Sequence, residues 1–221
     1  MGYKFNNVFH KFQIFSIINC AGSTYFNRRN EKHKSCLFEI MDYMNQKGKT
    51  SNFEMDNTVI VLGDSGIRDV VGFNTSKAIH EANFEPFGIA SIGKALEVIK
   101  RACKKPEYSY GDSVAAILLL SDGVFDYESE NALAALNSVE GLKDINRIVA
   151  CSDLFKDSDE YENLSRFAGD RIFDTTNVSD ISDCILNTLF NEMELTVSDE
   201  PKFVDGSDLH LETIEGEDFI F

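Results

Sequence analysis

The chain has 221 residues, enough for one sizeable domain, and the 43% hydrophobic share is typical of a globular protein with a core. Its formal charge of −16 comes without a basic stripe, so we expect no nucleic-acid binding. We expect a cytoplasmic protein without a membrane span, because no apolar run approaches about 18 residues and no signal peptide is recognisable at the N-terminus.

The first half of the chain alternates between strand and helix patterns. A near-continuous apolar run predicts a buried strand over residues 14–20, and a polar loop follows over residues 24–30. Apolar residues at helical spacing then predict a helix that Gly48 ends. The remaining predictions are a strand over 58–62, an edge strand over 69–73, helical turns over 75–82, and a loop marked by Pro86 and Gly88.

The second half repeats the alternation. The predicted strands cover residues 115–120, 145–151 and 171–173. The predicted helices cover residues 92–103, 132–139, the segment from an N-cap at Ser158 to Gly169, and a last segment capped by Ser179. This order predicts an α/β fold over residues 1–190, a doubly wound and mostly parallel sheet with helices on both faces.

Residues 191–221 form a predicted acidic C-terminal extension. The segment is rich in Asp and Glu, yet it keeps apolar residues and ends in Phe219-Ile220-Phe221. Two interpretations stay open, a docking segment that orders on a partner or a frayed terminus. The overall acidity favours a protein partner with a basic surface, although it also serves solubility.

Three short motifs occur in the order and spacing of a known family. Residues 19–23 read Asn-Cys-Ala-Gly-Ser, residues 88–96 read Gly-Ile-Ala-Ser-Ile-Gly-Lys-Ala-Leu, and residues 120–123 read Leu-Ser-Asp-Gly. They resemble the von Willebrand factor A (VWA) family, in which Asp-x-Ser-x-Ser, a Thr from a Gly-rich loop, and a Thr/Ser-Asp-Gly turn form a metal-ion-dependent adhesion site for Mg²⁺ or Mn²⁺. The resemblance spans about residues 12–190. It implies a cytoplasmic bacterial type, similar to the members that accompany tellurium-resistance and stress-response gene clusters.

The resemblance implies a degenerate metal site. When the motifs are compared position by position, the resemblance implies that Asn19, Ser23 and Asp122 take the places of metal ligands. Ala21 and Ala90 occupy positions where the family has oxygen ligands. A hard divalent cation prefers carboxylate oxygens, and only one carboxylate remains, so we expect no resident cofactor. A shifted Ser91 replacing Ala90 is the alternative that would keep Mg²⁺ or Mn²⁺.

Each residue also has a structural interpretation. Asn19 and Ser23 can hydrogen-bond the turn that holds them, and Gly22 can adopt an unusual backbone angle. Asp122 can cap the loop that leads to the next helix. The five cysteines lack a Cys-x-x-Cys pair and are expected to be reduced, and the histidines lack metal-ligand spacing.

The sequence therefore predicts a protein-binding module, not an enzyme. No dinucleotide fingerprint, complete P-loop or nucleophile elbow is present. We expect the partner to bind the loops over 21–29, 88–91 and 121–127, largely without metal. The residues predicted to contact it are Ala21, Gly22, Thr24, Ala90, Ser91, Ser121 and Gly123. The alternatives are a Mg²⁺- or Mn²⁺-dependent protein binder and an uncharacterised hydrolase.

Overall fold

The computed structural model describes residues 10–51, 53–64, 66–72, 82–103, 114–124, 145–153 and 155–197. The described elements are β1 (His10–Asn19), α1 (Arg29–Ser51), β2 (Phe53–Gly63), β3 (Gly66–Gly72), α2 (Ile92–Cys103), β4 (Val114–Leu120), β5 (Asn146–Cys151), α3 (Asp159–Ala168), β6 (Ile172–Asp174) and α4 (Val178–Val197). The predicted helix over 132–139 lies outside the described residues, as do the predicted turns over 75–82 apart from residue 82.

The strands form one sheet in the order β3-β2-β1-β4-β5-β6. Every neighbouring pair is parallel except β2 and β3, which form an antiparallel hairpin that puts β3 at the edge. The predicted fold class and the predicted edge strand are thus confirmed. Because β1 and β4 are parallel neighbours, the polar turns that follow them lie side by side at the carboxyl edge of the sheet.

The core has two layers, one on each face of the sheet. Alternate β1 residues point to opposite faces, as the strand period of two requires. Ile14 and Ile18 pack with the buried stripes of α1 and α4, whereas Phe15 and Ile17 pack with those of α2 and α3. Helices therefore cover both faces, and the long apolar runs are explained by strands that are buried on both sides.

Three predicted helix boundaries are wrong. Helix α1 begins at Arg29, inside the predicted loop over 24–30, and it continues past Gly48 to Ser51. A glycine inside a helix costs about 1 kcal/mol, which the buried stripe of a long helix outweighs. Helix α4 begins at Val178, and the Asn177 carbonyl accepts the Ile181 N–H at 3.1 Å, so Asn177 rather than Ser179 is the N-cap.

The predicted ends of α3 are confirmed, and α4 crosses the predicted domain boundary. Ser158 Oγ accepts the Tyr161 N–H at 3.2 Å, and Gly169 ends α3 with a φ of 66°. Helix α4 continues to Val197, past residue 190, and residues 198–221 lie outside the described part of the chain. Among the described helices, none is both long and apolar enough to cross a membrane.

Candidate functional site

Asn19 ties the turn after β1 to the turn after β4. Its Oδ1 accepts the Ala21 N–H at 2.8 Å, and its Nδ2 donates to Ser121 Oγ and Asp122 Oδ1, both at 3.0 Å. A backbone N–H can only donate, so the amide oxygen must face Ala21 and the amide nitrogen must face Asp122. The Asn19 side chain is fully buried and presents donors, not oxygens, to the second turn.

The turn after β4 is fixed by its own polar side chains. Ser121 Oγ accepts the Gly123 N–H at 3.2 Å, and Asp122 Oδ1 accepts the Val124 N–H at 3.3 Å, as the capping interpretation of Asp122 predicts. Gly123 has a φ of 83°, and a Cβ there would collide with the Glu160 carbonyl oxygen. Both the backbone angle and the space therefore require glycine at this position.

The loop over residues 82–91 closes a third side of the site. The Phe87 N–H donates to the Cys20 carbonyl at 3.0 Å, and the Gly22 N–H donates to the Gly88 carbonyl at 2.9 Å. Gly88 has a φ of 68°, and a Cβ on it would lie 2.7 Å from the Asp64 Cα. The structure thus brings together the three motifs that were identified in the sequence.

The backbone of the first turn differs from the prediction. Gly22 does not have a positive φ, so the unusual angle predicted for it is wrong. The left-handed residues of this segment are Asn27 and Arg28, with φ of 54° and 55°, just before α1 begins. They end a short 3₁₀ stretch, Gly22–Arg28, which turns the chain from the sheet edge into the helix.

Four side-chain oxygens at this edge have no hydrogen-bond partner. Among the described residues these buried oxygens are Ser23 Oγ, Ser91 Oγ, Asp122 Oδ2 and Ser152 Oγ. Ala21 and Ala90 supply no side-chain oxygen. No group of three His, Cys, Asp or Glu side chains in the described part of the chain is placed to share a metal ion.

Arg29 is the cation next to Asp122, and no sequence pattern pointed to it. Its Nη1 lies 4.0 Å from Asp122 Oδ2, and its Nη2 donates to the Asp153 carbonyl at 3.3 Å. The Asp122 side chain is fully buried and that of Arg29 is 21% exposed. The guanidinium therefore places its charge between the ends of β4 and β5, beside the buried carboxylate.

The side chains that the edge exposes differ from those predicted to contact a partner. Of the predicted contact residues all but Gly22 are buried, namely Ala21, Thr24, Ala90, Ser91, Ser121 and Gly123. The same loops and the turn after β5 expose large apolar side chains, which we call the apolar rim: Tyr25, Phe26, Phe87, Ile89, Val124 and Phe155. Large apolar residues beside glycine and polar turn residues were the signal that could have identified them.

Two buried titratable groups near this edge, His33 and Cys151, are held in their neutral forms. The pKa of His33 is lowered to about 3, chiefly by burial and then by the charges of Arg29 and Lys32, and the Asn19 backbone opposes them with a smaller effect. The pKa of Cys151 is raised to about 11, chiefly by burial and then by Asp174, with Arg29 acting in the opposite direction. Four cysteines in the described residues, among them Cys20 and Cys151, are free thiols. The raised pKa of Cys151 leaves its thiol protonated near neutral pH, so this cysteine is not activated as a nucleophile.

Comparisons with known proteins identify the fold. No protein-family model matches the chain, and no curated protein matches it. Among solved structures, proximal thread matrix protein 1 from the mussel byssus is 13% identical with a TM-score of 0.54, covering 82% of this chain and 48% of that protein. This chain therefore spans about half of that protein's length.

Two further structures show the same architecture. The SpRpn10 VWA domain is 11% identical with a TM-score of 0.52, and the match covers 77% of this chain and 93% of that one. Manganese-loaded Plasmodium vivax TRAP is 9% identical with a TM-score of 0.54, covering 81% and 74%. The chain has a VWA fold, and likeness at this level of identity shows the fold alone.

Proposed function

We propose that this chain is a protein-recognition module that binds its partner through the apolar rim, without a divalent cation. The observation that supports this is the position of the exposed apolar side chains. Among the side chains whose burial the structure describes, the clearly exposed large apolar ones all lie at the carboxyl edge of the sheet. Several large apolar side chains exposed at one edge of a folded domain are typical of an interaction site.

The composition of the rim suits a protein partner. Phe155 is 81% exposed, and Tyr25 and Phe26, whose ring centroids lie 6.5 Å apart, are each about as exposed. Aromatic side chains are enriched in protein interfaces because each buries a large area at a low entropic cost. The loops that carry them are held by buried hydrogen bonds such as that of Gly22 with Gly88, so the surface is preorganised.

The buried polar residues support binding without a metal ion. The oxygen of Asn19 already accepts the Ala21 N–H, which leaves Ser23 Oγ and Asp122 Oδ2 as the unpartnered oxygens of the three carried-over ligands. One carboxylate and one hydroxyl do not fit the six or more oxygens that a hard cation takes. Arg29 already supplies positive charge 4.0 Å from the carboxylate, where a bound cation would be repelled.

A cation-dependent protein binder is the second candidate. It is favoured by the burial of Ser23 Oγ and Asp122 Oδ2 without hydrogen-bond partners in the described residues. A manganese-loaded and a zinc-occupied structure occur among the proteins with this fold. In this case an oxygen from the partner would complete the coordination. We place it second because Arg29 would have to move away from Asp122.

We propose no catalytic activity for this edge. A hydrolase that works through a side-chain nucleophile needs a base beside that nucleophile. His33 is buried with a pKa of about 3, and the pKa of the Cys151 thiol is raised to about 11, so neither group exchanges protons or attacks readily near neutral pH. The cytoplasmic location, the basic partner and the tellurium-resistance type remain predictions from the sequence.

The test compares affinity capture by matched variants. The rim variant carries Phe26→Ser, Phe87→Ser and Phe155→Ser, and the control carries Asn45→Ser and Gln46→Ser at exposed positions of α1 away from the rim. We expect the wild-type chain and the control to retain the same binding proteins from a lysate of the source cells and the rim variant to lose them. Retention of the same proteins by the rim variant, with an unchanged melting temperature, would contradict the proposal.

A further inference from the structure

The apolar rim is followed directly by a basic part of the chain. Tyr25 and Phe26 are 72% and 70% exposed, and residues 28–34 come next, at the start of α1. These seven residues, which we call the basic stretch, contain one carboxylate and four cations, namely Arg28, Arg29, Lys32 and Lys34. On a chain with a formal charge of −16, the basic stretch is a local region of net positive charge.

The cations of the basic stretch can accept further carboxylates. Arg28 pairs with Glu31, and Lys32 pairs with Asp153, each with 2.5 Å between nitrogen and oxygen. All four side chains are at least 40% exposed, and exposed pairs of this kind contribute little stability. Lys34 forms no ion pair with any residue that the structure describes. An acidic segment that approached the rim would therefore find cations beside it.

The chain itself contains a segment of complementary composition. Residues 198–221, which we call the acidic segment, lie outside the described residues and hold eight acidic residues against one lysine. Residues 212–218 include four carboxylates and no lysine or arginine, and Phe219-Ile220-Phe221 follows them. An apolar triplet beside four carboxylates is thus the counterpart of an aromatic pair beside four cations.

The acidic segment is long enough to reach the rim. Helix α4 starts at Val178, just past the carboxyl end of β6, and its 20 residues extend about 30 Å. Three strand spacings of about 4.8 Å separate β6 from β1, which adds about 15 Å. A chain of the length from Val197 to Phe219 spans up to about 73 Å when extended, so even the sum of these distances is covered.

We propose that the apolar rim is the docking surface for the acidic segment of the same chain, with Phe219-Ile220-Phe221 against the exposed aromatic side chains. The burial of apolar side chains from both sides drives the contact. Because both parts belong to one chain, the contact acts at an effective concentration on the order of 1 mM, so a modest affinity is enough.

The charges at the edge determine how the acidic segment lies. The charged residues of the other edge loops are mostly acidic, namely Asp64, Glu85, Asp153, Lys156 and Asp157. Carboxylates beside those loops would be repelled, whereas carboxylates beside the start of α1 are attracted. Residues 212–218 therefore lie next to the basic stretch, and the apolar triplet extends from there across the rim.

The docked segment regulates access to the rim. This consequence rests on the proposed function, whereas the contact itself does not. A partner that binds the rim has to displace the acidic segment first. Its apparent affinity is therefore lowered in proportion to the fraction of molecules in which the rim is free.

The test is photo-crosslinking within the full chain. p-Benzoylphenylalanine takes the place of Phe219, the protein is irradiated at micromolar concentration, and the products are mapped by mass spectrometry. We expect crosslinks within one chain to peptides that contain Phe26, Phe87 or Phe155. Crosslinks that map only elsewhere would overturn the proposal. A crosslinked dimer whose yield rises with protein concentration would also overturn it, in favour of a contact between two copies.

Matched variants show whether the rim side chains hold the segment. In the rim variant, with Phe26→Ser, Phe87→Ser and Phe155→Ser, we expect the crosslink yield to fall at least about fivefold, because the apolar contact is lost. The α1 control, with Asn45→Ser and Gln46→Ser, should keep the wild-type yield. An unchanged yield in the rim variant would refute the docking surface. Phe155→Ser alone answers the question if the triple variant is unfolded.

A second pair of variants tests the charges. Arg28→Gln with Lys32→Gln removes two exposed cations of the basic stretch, and we expect it to lower the crosslink yield roughly twofold or more. Lys100→Gln with Arg101→Gln removes the same charge in the last turn of α2 and should have no such effect. Equal yields in the two double variants would overturn the assignment of the acidic residues to the basic stretch.

Failure of this proposal can be told apart from failure of the proposed function. Crosslinking within the chain needs no partner, so its result does not depend on what the rim variant captures. If the wild-type chain captures proteins through the rim but shows no crosslink to it, the proposed function stands and the docked segment is refuted. Crosslinks to the rim without captured proteins support the docked segment alone.

Discussion

Asn19→Asp is the most informative single substitution at the carboxyl edge. In the wild-type chain the Asn19 amide nitrogen donates to Asp122 Oδ1 at 3.0 Å, and both side chains are fully buried. The variant replaces that donor with an acceptor, so two carboxylates face each other in a site without water-exposed surface. It also restores the carboxylate that the first motif has in metal-binding members of the resembled family.

Two limits bound the loss of folding stability that we expect for the Asn19→Asp variant. Two unit charges about 4 Å apart repel by about 4 kcal/mol at an effective dielectric constant of about 20. The alternative is that the pair keeps one proton. At pH 7 this costs at most about 4 kcal/mol, since a free Asp has a pKa of about 3.9 and each unit is worth about 1.36 kcal/mol.

The sign of the pH dependence follows from the same argument. A carboxyl group whose folded-state pKa is raised destabilises the fold as the pH rises above its unfolded value. At pH 5, protonation of one carboxyl group of the pair limits the loss of folding stability to about 1.5 kcal/mol. We therefore expect the Asn19→Asp variant to lose about 2–4 kcal/mol at pH 7 and no more than about 1.5 kcal/mol at pH 5.

The assay is urea unfolding at both pH values, with EDTA or with 10 mM Mg²⁺ added. We expect Mg²⁺ to restore much of the stability of Asn19→Asp, because a cation between two carboxylates removes their repulsion. The control is Asn57→Asp, which also places a carboxylate at a buried asparagine of the sheet but far from Asp122 along the chain. It should be destabilised at pH 7 without rescue by Mg²⁺.

Three results would refute the reasoning. Wild-type stability of Asn19→Asp in EDTA at pH 7 would show that residues 19 and 122 do not face each other. Equal rescue of both variants by Mg²⁺ would show a general salt effect. A rise of several degrees in the melting temperature of the wild-type chain with Mg²⁺ or Mn²⁺, reversed by EDTA, would favour the cation-dependent binder.

Two further predictions concern pH and backbone geometry. His33 is neutral in the folded chain because its pKa is lowered to about 3, so the free energy of unfolding falls by about 1.4 kcal/mol per pH unit below about pH 6.5. In urea unfolding, His33→Gln should remove this fall, so between pH 7.5 and 5.0 its stability should rise by about 2 kcal/mol relative to the wild-type chain. Parallel pH profiles of the two chains would contradict this prediction. Gly88→Ala should lower the free energy of unfolding by at least about 1 kcal/mol more than Gly169→Ala. Both glycines have a φ near 67°, but only a Cβ on residue 88 would meet backbone atoms, those of Asp64. Equal losses of stability in thermal or urea unfolding would contradict this prediction.

The fold could be predicted because its signals are local. Buried parallel strands require near-continuous apolar runs, and both faces of β1 are indeed covered by helices. The ends of α3 were predicted because Ser158 and Gly169 act through bonds and angles of their own neighbourhood. Gly48 was misinterpreted because the packing of a long helix overrides the weak local preference of one glycine.

The site was predictable only in part. The order of the three motifs indicated correctly which turns come together, since strand order in a parallel sheet brings their carboxyl ends to one edge. The approach of Arg29 to Asp122 joins residues from two distant parts of the chain, and no periodic pattern carries that information. Exposure was the other missing quantity, because the sequence alone does not distinguish a buried Thr24 from the exposed Tyr25 next to it.

Asparagine at position 19 has an amide nitrogen where aspartate would have a second oxygen, and this difference explains how the edge can stay ordered without an ion. Two adjacent turns that end in polar residues need a link, and either a shared cation or a hydrogen bond can provide it. With asparagine at position 19, the link is a donor from the first turn to Ser121 and Asp122 in the second, and Arg29 supplies the remaining positive charge. That link lies beneath the surface, and the loops above it expose Phe26 and Phe155, where we propose that the partner binds.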